Sequence, residues 1–504
     1  MKARPRALLV AACVLFAGLV AAAFAACLPT YTFGESPDGG RDAATDGAPV
    51  GDAPSDAPSN TDGSGSPEAS ADAGSDAPPP VDGGPPLDAQ SAIAVVSVGS
   101  NAYAIGYSYQ AHLVYAQNDA RYWLFYASSS TASQISTLVS ADLVTWTPAG
   151  SIALTSGFTI ADGYSFSVTY ANLGGDDVVH IVENSVEGSD YESFHIRATI
   201  ASGAITGSTP VGLPDTQSAG AQGSSAGSCP NAGPTTVVAA DGHVWDVTAW
   251  TGHSGSTTCD TNIYESPGVD TGAGWNTGAF VHDGYYVSLP SYAWSHELVS
   301  LPDAGVVMIV YPDEDNVSTT LFDSIGWALS PAFDGGGPGS TGVDMPAADE
   351  LFNGTNNQAS LNDWTSCRLT DGNVHVMRHV ITSPGNASDT SVGPFEEVIY
   401  DGTSWAATSP PPSVTSTTNT GLVLLSDTNP DDGILAAVIG TDNAIHIAKW
   451  TSASGWVQLT SLPGSAARNS LAGTGCGSKR PAIFWTEGTA APYEIMAADL
   501  SGLL

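Results

Sequence analysis

The sequence predicts an all-β protein, a seven-bladed β-propeller that follows a signal segment and a disordered tether. Two observations predict this fold. The chain of 504 residues contains 56 Gly and 33 Pro with 12% charged residues, a composition typical of turn-rich β structure rather than of a helical enzyme. In addition, one hairpin pattern recurs seven times between residues 93 and 504: a short apolar strand, a Gly, Asp or Asn turn, and a more aromatic strand.

The spacing of the hairpins leaves room for four strands in each blade. Their first strands start near residues 112, 167, 235, 297, 366, 421 and 470. The last repeat offers only one further strand, Tyr493–Ala498, and the apolar segment Ile93–Val98 can supply its fourth. Such a strand would close the ring and leave no open sheet edge between blades. Two or three consecutive β-sandwiches are the alternative arrangement.

The first 27 residues resemble a bacterial export signal. Three basic residues precede an apolar run over residues 7–26, and the run ends in Phe24-Ala-Ala-Cys27. This ending resembles a lipobox, which implies acylation of Cys27. Type I cleavage or an uncleaved membrane span is the alternative. Either way, we expect an extracytoplasmic protein of the cell envelope, an outer-membrane lipoprotein or a secreted chain, that contacts the membrane through its lipid anchor only.

The charge distribution separates a tether from the folded part. Residues 28–92 hold 12 acids, one base and almost no aliphatic side chain, so no core can offset their chain entropy and they are predicted to be disordered. From residue 93 onward there are 39 acids and 8 bases, and the whole chain has a net charge of −39. This charge excludes a nucleic-acid partner bound by neutralising phosphates.

Two motifs support a resemblance to known propellers. Ser140-Ala-Asp142-Leu-Val-Thr-Trp146 resembles the Asp-box of sialidase-type propellers and, together with the preceding aromatic strand over 122–126, is similar to a blade of arabinanase and xylosidase propellers. Gly440-Thr-Asp-Asn443, with the two tryptophans that follow at 450 and 456, resembles a blade of sugar-binding propeller lectins. These motifs mainly stabilise turns, so the resemblance implies a fold and does not transfer catalysis.

The candidate binding residues lie at or just before the starts of the inner strands, which gather around the upper mouth of a propeller. They combine aromatic rings with charged groups, a composition that suits a carbohydrate or another small polar ligand. Packing and hydrogen bonds between blades are the alternative role. The candidates are Tyr109, His112, Tyr164, Trp294, His296, Asp363, Trp364, Arg368 and Arg468.

A catalytic pair can also be drawn from the sequence. Glu297 and Asp313 belong to one repeat and could supply the acid and base of a glycoside hydrolase. The sialidase resemblance implies three arginines around a substrate carboxylate, whereas only Arg368 and Arg468 are predicted at the mouth. The leading prediction is therefore binding of a glycan or cell-surface partner without a required cofactor. A sialidase-like or arabinanase-like hydrolase and a structural envelope protein are the alternatives.

One loop is a weak candidate for calcium. Asp427, Asn429 and Asp431 place oxygen ligands at alternating positions before a glycine. The same residues are ordinary turn formers between two strands.

Four cysteines fall in the predicted folded part. Cys229 precedes the first strand of the third repeat and Cys259 follows its second, so these two are predicted to form a disulfide. Cys367 is predicted to start an inner strand, whereas Cys476 is predicted in a lower turn two blades away. The sequence therefore leaves open whether this second pair is bonded.

Overall fold

The computed structural model describes residues 93–98, 102–106, 109–129, 131–160, 163–187, 190–213, 233–251, 259–266, 268, 275, 279–282, 297–301, 307–313, 324–329, 358–369, 372–381, 395–408, 421–429, 433–464 and 467–504. The signal segment, Cys27 and the tether lie outside the described residues. Within the described ranges, no helix has the length and apolarity needed to cross a bilayer.

The described residues are almost entirely strands and tight turns. The strands are β1 Ile93–Val98, β2 Leu113–Ala116, β3 Arg121–Tyr126, β4 Gln134–Ser140, β5 Thr147–Ala153, β6 Phe166–Leu173, β7 Asp176–Glu187, β8 Asp190–Ala201, β9 Ala204–Gly207, β10 Val211–Gly212, β11 Thr235–Val238, β12 Val244–Thr251, β13 Cys259–Glu265, β14 Ala279–His282, β15 Glu297–Ser300, β16 Val307–Asp313, β17 Ser324–Leu329, β18 Gln358–Arg368, β19 Val374–Ile381, β20 Phe395–Tyr400, β21 Trp405–Ala407, β22 Leu422–Leu425, β23 Ile434–Ile439, β24 Ile445–Thr451, β25 Gly455–Leu462, β26 Arg468–Gly473, β27 Ala482–Glu487 and β28 Tyr493–Asp499.

These strands form antiparallel sheets that follow one another along the chain. Six sheets consist of consecutive strands, namely β2–β5, β6–β10, β11–β14, β15–β17, β18–β21 and β22–β25. A further sheet has the order β1-β28-β27-β26, in which Ile93 pairs with Ala497 and Val98 with Tyr493. The prediction of an all-β propeller is confirmed by this arrangement.

Apolar side chains fill the space between neighbouring sheets. Between the first and second sheets, Trp123 and Phe166 belong to one buried cluster. The sheet that contains β1 packs against the first sheet, where Leu113 and Phe484 share another buried cluster and the Trp146 ring meets the edge of Phe484 at 5.5 Å. Full burial of one such side chain contributes roughly 1.5–3 kcal/mol, so these interfaces dominate the stability of the fold.

The Asp-box-like turn has the structure that its residues predict. One oxygen of Asp142 accepts hydrogen bonds from the backbone N–H groups of Val144 and Thr145, at 2.9 and 2.7 Å. A second turn of this kind follows β20, where Asp401 accepts the N–H groups of Thr403 and Ser404. Hydrogen bonds of these residues lower the pKa of Asp401 to about 2. Both motifs act as turn stabilisers.

One inner strand begins earlier than the sequence predicts. The first strand of the fifth repeat was expected near residue 366, but β18 begins at Gln358 and ends at Arg368. Its first half is polar and its ladder with β19 is irregular between Ala359 and Trp364. Because the apolar pattern marks only the second half, hydrophobicity alone places the start too late. This difference moves Arg368 from the start of an inner strand to its end.

Candidate functional site

A cavity of about 510 Å³ lies where the inner strands of the sheets converge. Its wall contains residues of β2, β6, β11, β15, β18, β22 and β26, so it follows the axis of the propeller. We call the end of the cavity at which the inner strands begin the upper end, and the end at which these strands finish the lower mouth. Among the described wall residues, the exposed ones are Gln117, Ala240 and Lys479, which all follow strand ends. The described part of the cavity therefore meets solvent at the lower mouth.

Two aromatic rings stack at the upper end of the cavity, and of the two only Tyr109 is among the described residues that line it. Tyr109 precedes β2 in the first sheet and Trp364 belongs to β18 in the fifth, yet their rings stack with centroids 5.7 Å apart and an angle of 6°. Tyr109 is 4% exposed and Trp364 is fully buried, with Val299 and Val376 in its apolar cluster. The two rings therefore cover each other and leave no open aromatic face, which is a packing arrangement rather than the binding surface that the sequence predicted.

Glu297 is the one carboxylate among the described residues of the cavity wall. It is the first residue of β15, and its Oε2 accepts the backbone N–H of Ser366 at 2.7 Å. Burial raises the pKa of Glu297 to about 8, against the opposite effect of the hydrogen bonds from Ser366. Glu297 is therefore mostly neutral at pH 7 and can donate a hydrogen bond to a ligand.

The predicted partner of Glu297 stands further along the same sheet. Glu297 pairs with Val310, three residues before Asp313 on β16. Three residues correspond to about 10 Å along a strand. The Asp313 side chain lies outside the description, so the proposed acid and base pair stays a prediction.

The lower mouth carries the cationic part of the wall. Arg368, the last residue of β18, lines the cavity and donates from Nη1 to the backbone oxygen of Ser300 at 2.6 Å. Lys479 lies in the segment 474–481 that follows β26, and it is exposed on the same wall. Arg368 was predicted at the upper end; because β18 begins at Gln358, it lies at the lower mouth instead.

A disulfide joins Cys367 to Cys476 at this mouth. Their pairing could not be predicted from the sequence, because Cys367 was expected at a strand start. As the penultimate residue of β18 it instead lies at the same end of the cavity as Cys476. Gly475 and Gly477 flank this cysteine with φ of 72° and 71°, a backbone conformation that glycine adopts without strain. The turn they form brings Cys476 to the fifth sheet.

His112 and Arg468, two predicted ligand-binding residues, are used in packing. His112 is fully buried, its Nδ1 lies 3.3 Å from the backbone oxygen of Phe125, and burial lowers its pKa to about 4. Arg468 is 3% exposed, donates to the backbone oxygen of Leu462 at 3.1 Å, and lies 5.0 Å from the centroid of the Trp485 ring. Neither residue is among those that line the cavity.

The remaining binding candidates have no described side chain. Tyr164 lies in the short 3-10 turn Gly163–Ser165, and Asp363 lies in β18, but their side chains are outside the description. Trp294 and His296 lie outside the described residues altogether. Their predicted role in binding stays a prediction.

The calcium loop and the first cysteine pair are described only in part. The backbone N–H of Asn429 donates to Asp427 Oδ1 at 2.8 Å, as in an ordinary Asx turn, while Asp431 lies outside the described residues. Within the described ranges, no three His, Cys, Asp or Glu residues are grouped as metal ligands would be. Cys229 lies outside the description, as does the side chain of Cys259. Both predictions stay open.

A buried polar chain that the sequence analysis missed joins the second and third sheets. His180 Nδ1 lies 3.1 Å from His195 Nε2, and His195 Nδ1 lies 2.6 Å from Asp246 Oδ2. All three side chains are buried, and the Trp275 ring stands 4.6 Å from that of His195. The sequence signal for these contacts was the presence of polar residues at core-facing positions of β7, β8 and β12, because buried polar groups require hydrogen-bond partners.

A similar connection joins the fifth and sixth sheets. His375 Nδ1 lies 2.7 Å from Glu397 Oε1, while the other oxygen of Glu397 accepts the indole N–H of Trp456 at 2.7 Å. Because Trp456 belongs to the sixth sheet, this carboxylate holds two sheets together. The tryptophans of the lectin-like motif thus act in packing: the Trp450 ring meets the His375 ring edge to face at 4.5 Å.

Comparison with solved structures finds lectins and sialidases among the similar folds. The BP39L lectin from Burkholderia pseudomallei superposes with a TM-score of 0.51 at 11% sequence identity, covering 78% of this chain and 97% of that chain. A variant of the Aleuria aurantia lectin in complex with α-methyl-L-fucoside has a TM-score of 0.37 at 12% identity, covering 72% of this chain and 99% of that chain. The NanB sialidase from Streptococcus pneumoniae has a TM-score of 0.36 at 9% identity, covering 81% of this chain and 70% of that chain.

Comparison of the sequence itself adds no family assignment. No protein-family model matches this chain, and no curated protein matches it. The resemblance to lectin-type β-propellers that the blade motifs predicted is confirmed at the level of the fold by the BP39L lectin.

Proposed function

We propose that this protein binds a carbohydrate in the axial cavity. The observation that carries the proposal is the cavity itself, whose volume of about 510 Å³ falls within the roughly 300–1,000 Å³ of small-molecule sites. Its wall offers hydroxyl groups such as Ser167, Thr235 and Thr365, next to apolar strips such as Val237 and Val423. Alternating hydroxyl and apolar surface suits a sugar ring, which has polar edges and C–H faces.

The arrangement of the chain forms the second part of the proposal. The sheets are seven blades of one ring, and β1 closes it as the fourth strand of the last blade. Cys27 carries a lipid, and residues 28–92 hold the ring away from the outer face of a bacterial membrane. The pairing of β1 with β28 supports the ring closure, and Phe24-Ala-Ala-Cys27 after an apolar run supports the anchor.

Glycoside hydrolysis is the second candidate function. It is favoured by Glu297, because a carboxyl group whose burial raises its pKa to about 8 could act as a general acid at neutral pH. Asp313 would be the second carboxylate. Glu297→Gln keeps the size of the side chain and removes its acidity. This variant should still bind sugar, and it should lose turnover of chromogenic glycosides only if the protein is a hydrolase.

A glycan array probed with the purified chain tests the binding proposal. We expect retention of short oligosaccharides that fit the cavity, and solution calorimetry should then give one site for each chain. Thr365→Trp, which fills the middle of the cavity, should abolish retention. Val457→Trp on the exposed face of β25 is the matched control and should leave it unchanged. Absence of binding to every glycan, or equal binding by both variants, would reject the axial site.

Metabolic labelling with a fatty-acid analogue tests the anchor. Cys27→Ala should abolish labelling, whereas Cys13→Ala within the same apolar run should not. Truncation tests the ring closure: a chain that starts at Ile93 should melt like the tethered protein, while one that starts after Val98 should melt at a lower temperature. Equal melting of the two truncated chains would contradict closure by β1.

A further inference from the structure

Basic residues are scarce in this protein, yet two of them line the lower mouth of the cavity. The chain from residue 93 onward has eight basic residues against 39 acidic ones. Two of the eight, Arg368 and Lys479, line the lower mouth of the cavity, and Arg480 lies beside them with its guanidinium 5.4 Å from the centroid of the Tyr115 ring. In the described wall, the only carboxylate is Glu297, which lies at the upper end.

Arg368 uses little of its hydrogen-bonding capacity on the part of the chain that the structure describes. A guanidinium has five N–H donors, and the one hydrogen bond of this side chain to a described residue runs from Nη1 to the backbone oxygen of Ser300. No carboxylate among the described residues lies within ion-pair distance of it, although it is partly buried. Such a partly buried guanidinium, with no counterion among the described residues, is costly in a folded protein unless a ligand neutralises it.

The backbone segment that carries Lys479 is held in place by contacts within the protein. The segment that carries it is anchored by the Cys367–Cys476 disulfide. It is also held by Ser426, whose Oγ accepts the N–H of Gly477 at 2.9 Å and whose backbone oxygen accepts the N–H of Ser478 at 3.1 Å. A segment that is already ordered loses little entropy when a ligand binds.

From this geometry we propose that the lower mouth recognises a carboxylate, and that the preferred ligand is an acidic sugar that enters by its charged end. Arg368 binds the carboxylate with its two-pronged donor edge, and Lys479 adds a second positive charge. The sugar ring then extends towards Glu297. This inference rests on the proposed function, because it names the class of sugar that the cavity takes.

Charge and size set two further conditions. The net charge of −39 repels anions at long range, so a preference for an acidic sugar over its neutral analogue requires a local cationic site. The volume of about 510 Å³ admits a short oligosaccharide or the end of a chain rather than the interior of a polymer. A guanidinium group, with its two parallel N–H donors, matches a planar carboxylate better than the compact charge of a lysine ammonium group does.

The experiment measures matched sugar pairs by calorimetry with the full chain. The pairs are methyl glucuronide with methyl glucoside and methyl galacturonide with methyl galactoside. We expect at least one acidic member to bind tenfold or more tightly than its neutral partner. Arg368→Gln should lower the affinity for that acidic sugar by roughly tenfold or more and leave the affinity for the neutral sugar unchanged. Arg368→Lys should have an intermediate affinity for the acidic sugar.

Two charge variants complete the design. Lys479→Gln should lower the affinity for the acidic sugar severalfold. Lys449→Gln removes the same charge from β24, where Lys449 donates to the backbone oxygen of Leu503, and should have no effect. Circular dichroism establishes that each variant is folded.

The outcomes separate this inference from the proposed function. If neutral sugars bind as well as acidic ones, or if Arg368→Gln binds the acidic sugar normally, the carboxylate site is rejected while sugar binding stands. If no sugar of either kind binds, the proposed function fails and the inference fails with it.

Discussion

Replacing Trp364 by alanine distinguishes a packed aromatic residue from an exposed binding platform. Trp364 is fully buried in the apolar cluster between the fourth and fifth sheets and stacks on Tyr109. Truncation of a buried tryptophan costs about 3–5 kcal/mol, including the loss of an aromatic pair. Average unfolding entropies per residue give a total of about 0.9 kcal/mol/K for residues 93–504. The melting temperature should therefore fall by about 3–6 °C.

Differential scanning calorimetry of three variants measures this effect. Trp364→Phe keeps an aromatic ring against Tyr109, so its melting temperature should fall by less than half as much as that of Trp364→Ala. Val457→Ala is the control, because that side chain is 47% exposed, and its melting temperature should be unchanged. A melting temperature for Trp364→Ala equal to that of the unmodified protein would refute the reasoning. It would instead favour the open binding residue that the sequence analysis predicted.

Substitutions at three further places test individual contacts by chemical denaturation. For Glu297, burial raises the pKa in the folded state to about 8 from an ordinary 4.5. Its contribution to stability is therefore complete below pH 4.5 and is lost as the pH rises to about 8, a change that should disappear in Glu297→Gln. Glu397→Ala leaves His375 without its acceptor and should cost about 3–5 kcal/mol, whereas Glu397→Gln should cost less. Replacing Cys367 and Cys476 together by serine should cost about 2–5 kcal/mol, since they close a loop of 109 residues, and an unchanged stability would contradict the cross-link.

The fold was predictable because its signals are local. Alternating apolar residues and Gly, Asp or Asn turns mark hairpins such as β2–β3 and β22–β23, and the structure has these hairpins at the expected places. The turn at Asp142 follows from the hydrogen-bonding capacity of a single side chain. The start of β18 was missed because its first half is polar, and a polar strand gives no hydrophobic pattern.

The site was less predictable, because depth along the axis depends on where each strand begins. The predicted start of β18 was eight residues too late, so Arg368 was placed at the upper end of the cavity although it lies at the lower mouth. The same error concealed the disulfide between Cys367 and Cys476, whose partners are 109 residues apart in sequence. Contacts between sheets, such as that of His195 with Asp246, depend on which blades are neighbours and on which face each residue occupies.

The two ends of the cavity differ in chemistry, and that difference gives the site a direction. At the upper end the stacked rings of Tyr109 and Trp364 cover each other, and the neighbouring Glu297 is mostly neutral at pH 7 because burial raises its pKa to about 8. At the lower mouth Arg368 and Lys479 are charged and meet solvent. An anionic group is therefore attracted to the lower mouth and finds no second cation among the described residues deeper in the wall. A ligand with one charged end and one neutral, hydroxylated end matches this gradient, whereas a ligand charged along its whole length does not.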